Sequence, residues 1–193
     1  MKRTILYPAL LVLLGLAAVG YSEADKKSSK DKKSAGKDEA GQLVWYRYDQ
    51  GLKKAKSEKK PILVDFYTDW CGWCKKMDKD TYGNQEVMKL LNEKFIIVKI
   101  NAESKNPLEI KDDQGKQKTE AQIAREFNVS AFPITWFLRP TGEQITYVPG
   151  YYPADNFVPV LTMVSDYIKE KAYEKMSIND YVKQKENSKT KKN

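Results

Sequence analysis

Cys71 and Cys74 are the only cysteines in this chain of 193 residues, and they stand two residues apart in Asp69-Trp70-Cys71-Gly72-Trp73-Cys74. A C-x-x-C that follows an apolar stretch, where a helix begins, reads as a redox dithiol. On a helix the i and i+3 side chains are neighbours, so the two sulfurs can bond without moving the backbone. The first turn has free N–H groups and the positive end of the helix dipole. Both favour a thiolate at Cys71, and the thiolate is the nucleophile. Two blander chemistries compete. A structural zinc site needs four ligands, and the chain has neither a third cysteine nor any histidine. A purely structural disulfide would close a loop of about four residues, for which the chain-entropy model gives only about 2 kcal/mol.

Other residues gather around this pair. Asp65 is an acid inside the apolar run Ile62-Leu63-Val64-Asp65-Phe66, where a buried charge is costly. The competing reading is an acid at a strand edge facing solvent. Trp70 and Trp73 flank the cysteines, and core or surface filling would also suit their type. Phe132-Pro133 precedes another apolar run.

These residues need elements to hold them. Leu43–Tyr46 reads as a short strand or an extended lead-in, and Gly51–Lys59 has a helical spacing. Ile62–Phe66 reads as a central strand buried on both faces. Helices are expected over Gly72–Thr81 and Asn84–Asn92, followed by a buried strand over Phe95–Ile100. The segment 101–118 is polar with almost no core residues, and reads as an exposed loop. A short helix is expected over Glu120–Phe127. Strands over Ile134–Leu138 and Gln144–Val148 enclose the turn Pro140-Thr141-Gly142. Tyr152–Ala172 reads as helical, with Pro159 kinking it or splitting off its first turn. Ser177–Lys183 reads as one more short helix before a tail. This order gives an α/β fold, a mixed sheet with helices on both faces.

The N-terminus reads as an export signal. Met1-Lys2-Arg3 is basic, Ile5–Val19 is apolar, and Ser22-Glu23-Ala24 places small residues at both recognition positions, so cleavage is expected before Asp25. Ala18-Val19-Gly20 is a second possible site. The apolar run is shorter than the roughly 20 residues that span a bilayer, which favours removal over an uncleaved anchor. No cysteine follows it to accept a lipid. Exported proteins ordinarily carry structural disulfides, but here the only possible bridge is the reactive pair. The expected organisation is a signal peptide over 1–24, a Lys/Ser-rich linker over 25–41, one domain over 42–176 and a basic tail over 177–193.

The formal charge is +8. Within 42–176, however, 21 Lys/Arg face 19 Asp/Glu. The surplus lies in the two ends, and the domain shows no basic stripe with interleaved aromatics, so no nucleic-acid partner is expected.

The stretch Leu63–Lys76, the strand Val98-Lys99-Ile100-Asn101 and the loop Val129-Ser130-Ala131-Phe132-Pro133-Ile134-Thr135 together resemble the thioredoxin superfamily over roughly 43–172. Within it the chain is most similar to exported bacterial thioredoxin-like proteins, such as the SoxW-like group and the C-terminal domain of the transmembrane disulfide reductase. The resemblance implies a thioredoxin fold with a central mixed β-sheet flanked by helices on both faces. It implies that Cys71, the exposed cysteine, attacks and Cys74 resolves. It implies that Asp65 relays a proton to or from Cys74, that Lys99 lies near Asp65, and that the Phe132–Pro133 bond is cis. Trp70, Gly72, Trp73, Phe132 and Pro133 are the implied substrate-binding residues. Trp73 stands where plain thioredoxins carry proline, and Phe132 where threonine is common.

The expected activity is an exported, periplasmic thiol–disulfide oxidoreductase, reducing disulfides in envelope proteins with no cofactor beyond its own Cys71–Cys74 couple and no metal. Its expected partners are disulfide-bearing proteins and a membrane-bound thiol reductase as electron donor, and the chain is expected to be a monomer. The alternatives are a disulfide oxidase or isomerase, or a non-catalytic module that holds proteins or copper.

Overall fold

A computed structural model describes residues 42–190 of the chain. The expected signal peptide and linker lie outside the described residues. In chain order the elements are α1 (Tyr48–Glu58), β1 (Ile62–Tyr67), α2 (Gly72–Asp80), α3 (Gln85–Lys94), β2 (Ile96–Asn101), β3 (Pro107–Lys111), β4 (Gln117–Thr119), α4 (Glu120–Glu126), β5 (Ile134–Leu138), β6 (Gln144–Pro149), α5 (Ala154–Lys169) and α6 (Ile178–Thr190). Four strands form a mixed sheet in the order β2-β1-β5-β6, with β2 parallel to β1 and β5 antiparallel to it. This is the thioredoxin fold expected from the sequence.

The alternation of side chains along a strand divides the core in two. Ile62, Val64 and Phe66 join Val98 and Ile100 in the cluster that α1 and α4 close with Ala55, Ile123, Ala124 and Phe127. Leu63 joins Ile97 and Phe137 on the opposite face, closed by Met77, Val87, Leu91, Phe157, Leu161 and Val164 from α2, α3 and α5. β1 is therefore apolar on both sides, and Asp65 is the exception in it. The pairing sets Asp65 opposite Lys99 on one side and opposite Thr135 on the other. One row of the sheet thus carries all three polar residues.

The structure refines the sequence reading at four places. The segment 101–118 is not a bare loop: β3 pairs with β4, and Leu108 is fully buried in the α1/α4 cluster. Leu108 and Ile110 do alternate with charged residues, but the run is too short to stand out in so polar a segment. Of the two readings of Leu43–Tyr46, the strand is excluded and the lead-in is left. Tyr46 alone bridges β2, with its N–H donating to the Ile97 carbonyl at 2.9 Å and its carbonyl accepting from Lys99 at 3.3 Å.

Of the two effects expected of Pro159, the splitting of the first turn does not occur: α5 runs from Ala154 to Lys169 with the proline inside it. The N–H that proline lacks would have served the carbonyl of Asp155, an exposed residue in the first turn, where water can replace the bond. The short helix read over Ser177–Lys183 is present as α6, but it runs on to Thr190, into the segment read as a tail, and it packs back on the domain. Tyr181 lies 3% exposed against Tyr167, Ile168 and Ala172, with its ring 5.4 Å from that of Tyr167. Tyr181→Ala is expected to cost about 3 kcal/mol, the lower range for truncating a buried aromatic. Hydrogen exchange should show α6 opening while α2 stays protected. Uniform deprotection of both would contradict this attachment.

Candidate active site

β1 ends at Tyr67, and the chain turns through Thr68-Asp69-Trp70 into α2. The turn is closed by the Cys71 N–H donating to the Thr68 carbonyl at 3.1 Å. Cys71 is the N-cap of α2, and its Sγ accepts the Cys74 N–H at 3.1 Å. A sulfur thus takes the capping role that usually falls to an oxygen. The two sulfurs are bonded, with Cα atoms 5.3 Å apart. The expected difference in exposure is absent in this oxidised state, since both cysteines are 4% exposed. What separates them is polarity: Cys71 sits at the helix start, where free N–H groups face it, and Cys74 sits inside the first turn.

The expected rim residues surround this helix start. Trp70 is 67% and Trp73 59% exposed. The Trp70 Nε1–H donates to both carboxylate oxygens of Glu103, at 3.0 and 3.1 Å, and its ring meets Phe132 edge-on at 5.9 Å. Trp73 leans on Tyr151 at 5.5 Å, and the Lys76 ammonium lies 5.2 Å from that same ring. Gly72 is exposed between the two tryptophans, and a Cβ there would meet nothing within 4 Å. The bare backbone at 72 leaves room for another chain to approach. Pro133 is buried, its bond to Phe132 is cis, and its carbonyl accepts the Gly150 N–H at 2.8 Å. Gly150 has φ +78°, a conformation open to glycine at little cost.

Asp65 is 2% exposed. Its Oδ1 has no hydrogen-bond partner, and its Oδ2 lies 3.7 Å from the Lys99 ammonium. Burial raises its pKa from 3.8 to about 7; Lys99 opposes the rise and the Asp78 carboxylate adds to it. Tyr82 is buried nearby, its phenol pushed well up by desolvation and then by Asp65. It shares a 3.2 Å hydrogen bond with Thr135, the neighbour of Asp65 in the sheet. An acid that ionises near neutral pH can both take and return a proton.

Sequence reasoning missed three participants: Glu103, Asp78 and Tyr82. Only Asp78 carried a usable signal, standing four residues after Cys74 and so on the same helix face.

Residues 48–165 match the family model described as a thioredoxin-like domain. The chain belongs to the thioredoxin-like family. Among curated relatives, this thioredoxin-like chain is 29% identical over 115 residues to "Disulfide bond reductase DsbH" of Chlamydia pneumoniae, covering 59% of this chain and 66% of the relative. It is 29% identical over 107 residues to "Thiol:disulfide interchange protein DsbD" of Yersinia pestis, covering 54% of this chain but 16% of the relative. A match to "Uncharacterized protein B0495.5" of Caenorhabditis elegans covers 63% of this chain and 17% of that protein. The chain therefore spans less than two thirds of these relatives' own lengths. Among solved structures, "DsbH Oxidoreductase" superposes with a TM-score of 0.53 at 23% identity, covering 64% of this chain and 85% of that one. A thioredoxin from Thermus thermophilus gives 0.53 at 22% identity, covering 65% and 88%. Both likenesses show the shared fold. No helix among the described residues is long and apolar enough to cross a membrane.

Proposed function

We propose that this thioredoxin-like protein is an exported thiol–disulfide oxidoreductase that works as a reductase. The observation that carries the reading is a Cys71–Cys74 couple at the start of α2 together with Asp65, a buried acid whose pKa is about 7. In the reduced protein, the Cys71 thiolate attacks a substrate disulfide, forming a mixed disulfide and expelling one substrate thiolate. Cys74 gives up its proton and attacks the Cys71 sulfur. The second substrate thiolate leaves, and the protein disulfide closes. Two electrons pass to the substrate and two protons end on its thiols. Asp65 serves as the local proton acceptor for Cys74, and Lys99 steadies its charge. Trp70, Trp73, Phe132 and the open backbone at Gly72 form the surface on which a substrate segment lies, with Pro133 closing it.

Reduction is favoured over oxidation by what lies around Cys71. Neither Gly72 nor Trp73 carries a charge that could stabilise its thiolate further, and a less stabilised reduced form makes a more reducing couple. A relative whose printed name is disulfide bond reductase points the same way. The substrates proposed are disulfide-bearing envelope proteins, and the electron donor a membrane-bound thiol reductase. The N-terminal sequence pattern supports export.

The test is a redox titration against glutathione, read by the fluorescence of Trp70 and Trp73, beside an insulin-reduction assay with dithiothreitol. The potential is expected between about −270 and −180 mV, towards the thioredoxin end of that range. A value near about −120 mV would place the protein with the oxidants and overturn the reductase reading.

A further inference from the structure

The Lys99 ammonium has two carboxylates within reach and favours one. It makes a direct ion pair with Asp78, while Asp65 Oδ2 stands 3.7 Å away, beyond a good hydrogen bond. Two rings lie beside it, Trp45 at 5.0 Å and Tyr67 at 5.2 Å from the nitrogen. Trp45 is in turn held by the neighbouring Tyr46 bridge to β2. Asp78 lies four residues beyond Cys74 on α2, so one helix carries both the dithiol and the carboxylate that competes for Lys99. Asp65 is left buried with its Oδ1 unpartnered.

We propose that Asp78 is a positioning residue, which draws the Lys99 ammonium towards α2 and so governs the pH at which the buried acid gives up its proton. Among the described residues, the groups acting on Asp65 are Lys99 from β2, Asp78 from α2, and Tyr82 from the turn after α2; Tyr67 lies two positions on in β1. The Tyr82 phenol is held uncharged by burial. Lys99 is therefore the one cation among these groups, and how it is shared between the two carboxylates is the variable the protein can set. With Asp78 neutral, a repelling charge disappears and Lys99 is free to close on Asp65. Both changes favour the ionised acid. The proposal deepens the oxidoreductase reading and rests on it only for its catalytic consequence: an acid that ionises earlier is a weaker base for Cys74.

The experiment follows the Asp65 carboxyl directly, by carbon-detected NMR titration of oxidised wild type, Asp78→Asn and Asp78→Glu. The expected Asp65 midpoint in Asp78→Asn falls by about one unit or more, the usual effect of an opposite charge moving into contact. Asp78→Glu should return it close to wild type, because the longer acid still reaches Lys99. Asp78→Ser provides the same test should the amide disturb α2. In insulin reduction, the pH at half-maximal rate should move acidward with the Asp65 midpoint. An unmoved midpoint in both neutral variants overturns the proposal, as does failure of the glutamate to restore it. A shifted midpoint in a protein that reduces no insulin would uphold the positioning of Lys99 and sink the reductase reading alone.

Discussion

Cys71→Ser is expected to reduce insulin no faster than background and to capture no substrate, whereas Cys74→Ser is expected to accumulate substrates as mixed disulfides through Cys71. The asymmetry follows from where each sulfur sits. Cys71 caps α2 and its Sγ receives the Cys74 N–H at 3.1 Å, so developing negative charge there meets a donor and the helix dipole. Cys74 lies within the first turn, and its task is to break the mixed disulfide. Without it, the intermediate persists until an outside thiol releases it. Non-reducing gels of extracts incubated with each variant would display the outcome. Equal capture by both variants would remove the attacking role from Cys71.

Asp65→Asn is the second change with a large expected effect, and it acts on stability and on rate. The folded protein holds the Asp65 proton up to about pH 7, while the unfolded chain releases it near 3.8. Between those values the folded state binds more protons, so stability falls as pH rises through this window and levels off above it. At about 1.4 kcal/mol per unit, the loss carried by this one group is about 4 kcal/mol at pH 8. Asn has no charge to strand, so the variant should be more stable than wild type at pH 8 and gain little at pH 4. Calorimetry should show a Tm rise of about 10 °C at pH 8, from about 2–4 °C per kcal/mol in a chain of this size. The same variant should reduce insulin more slowly, because Cys74 loses its proton acceptor. A Tm difference that stays the same from pH 4 to pH 8 would mean that Asp65 is not a buried, late-ionising acid.

The two effects have one cause. Few proteins leave an acid in a strand that is apolar on both faces, because desolvation costs so much. Here the cost buries a group whose ionisation falls where thiol chemistry works. A stabilising Asn at 65 that also slows exchange is the expected sign of a residue kept for reaction and not for folding.

Much of this was legible in the sequence. The dithiol, the apolar strand before it and the helix after it lie within the nineteen consecutive residues 62–80, and local patterning is enough to read such a unit. The buried strands over 95–100 and 134–138 and the proline loop before the latter follow for the same reason, since each is a short apolar run bounded by turn residues. Asp65 was conspicuous because it broke one of these runs. The boundaries of α1 and α5 were harder, because Tyr48 and Pro159 are judged by what surrounds them in space.

Tertiary structure alone decided who touches whom. Glu103 reaches Trp70 across 33 residues and Lys99 reaches Asp78 across 21. Thr135 and Tyr82, joined across 53 residues, complete the row beside the buried acid. None of these pairs has a periodic signature, because a polar residue looks the same in the sequence whether or not it has a distant partner. Leu108 and Tyr181 are similar: each lies in a mostly polar stretch, and only its docking against the domain makes it core. The sequence by itself determined the chemistry available, a redox dithiol next to a misplaced acid, because residue types and short spacings specify reactive groups. The fold decided how that chemistry is tuned, because the share of Lys99 that each of two carboxylates receives depends on distances that only the packed sheet and α2 set.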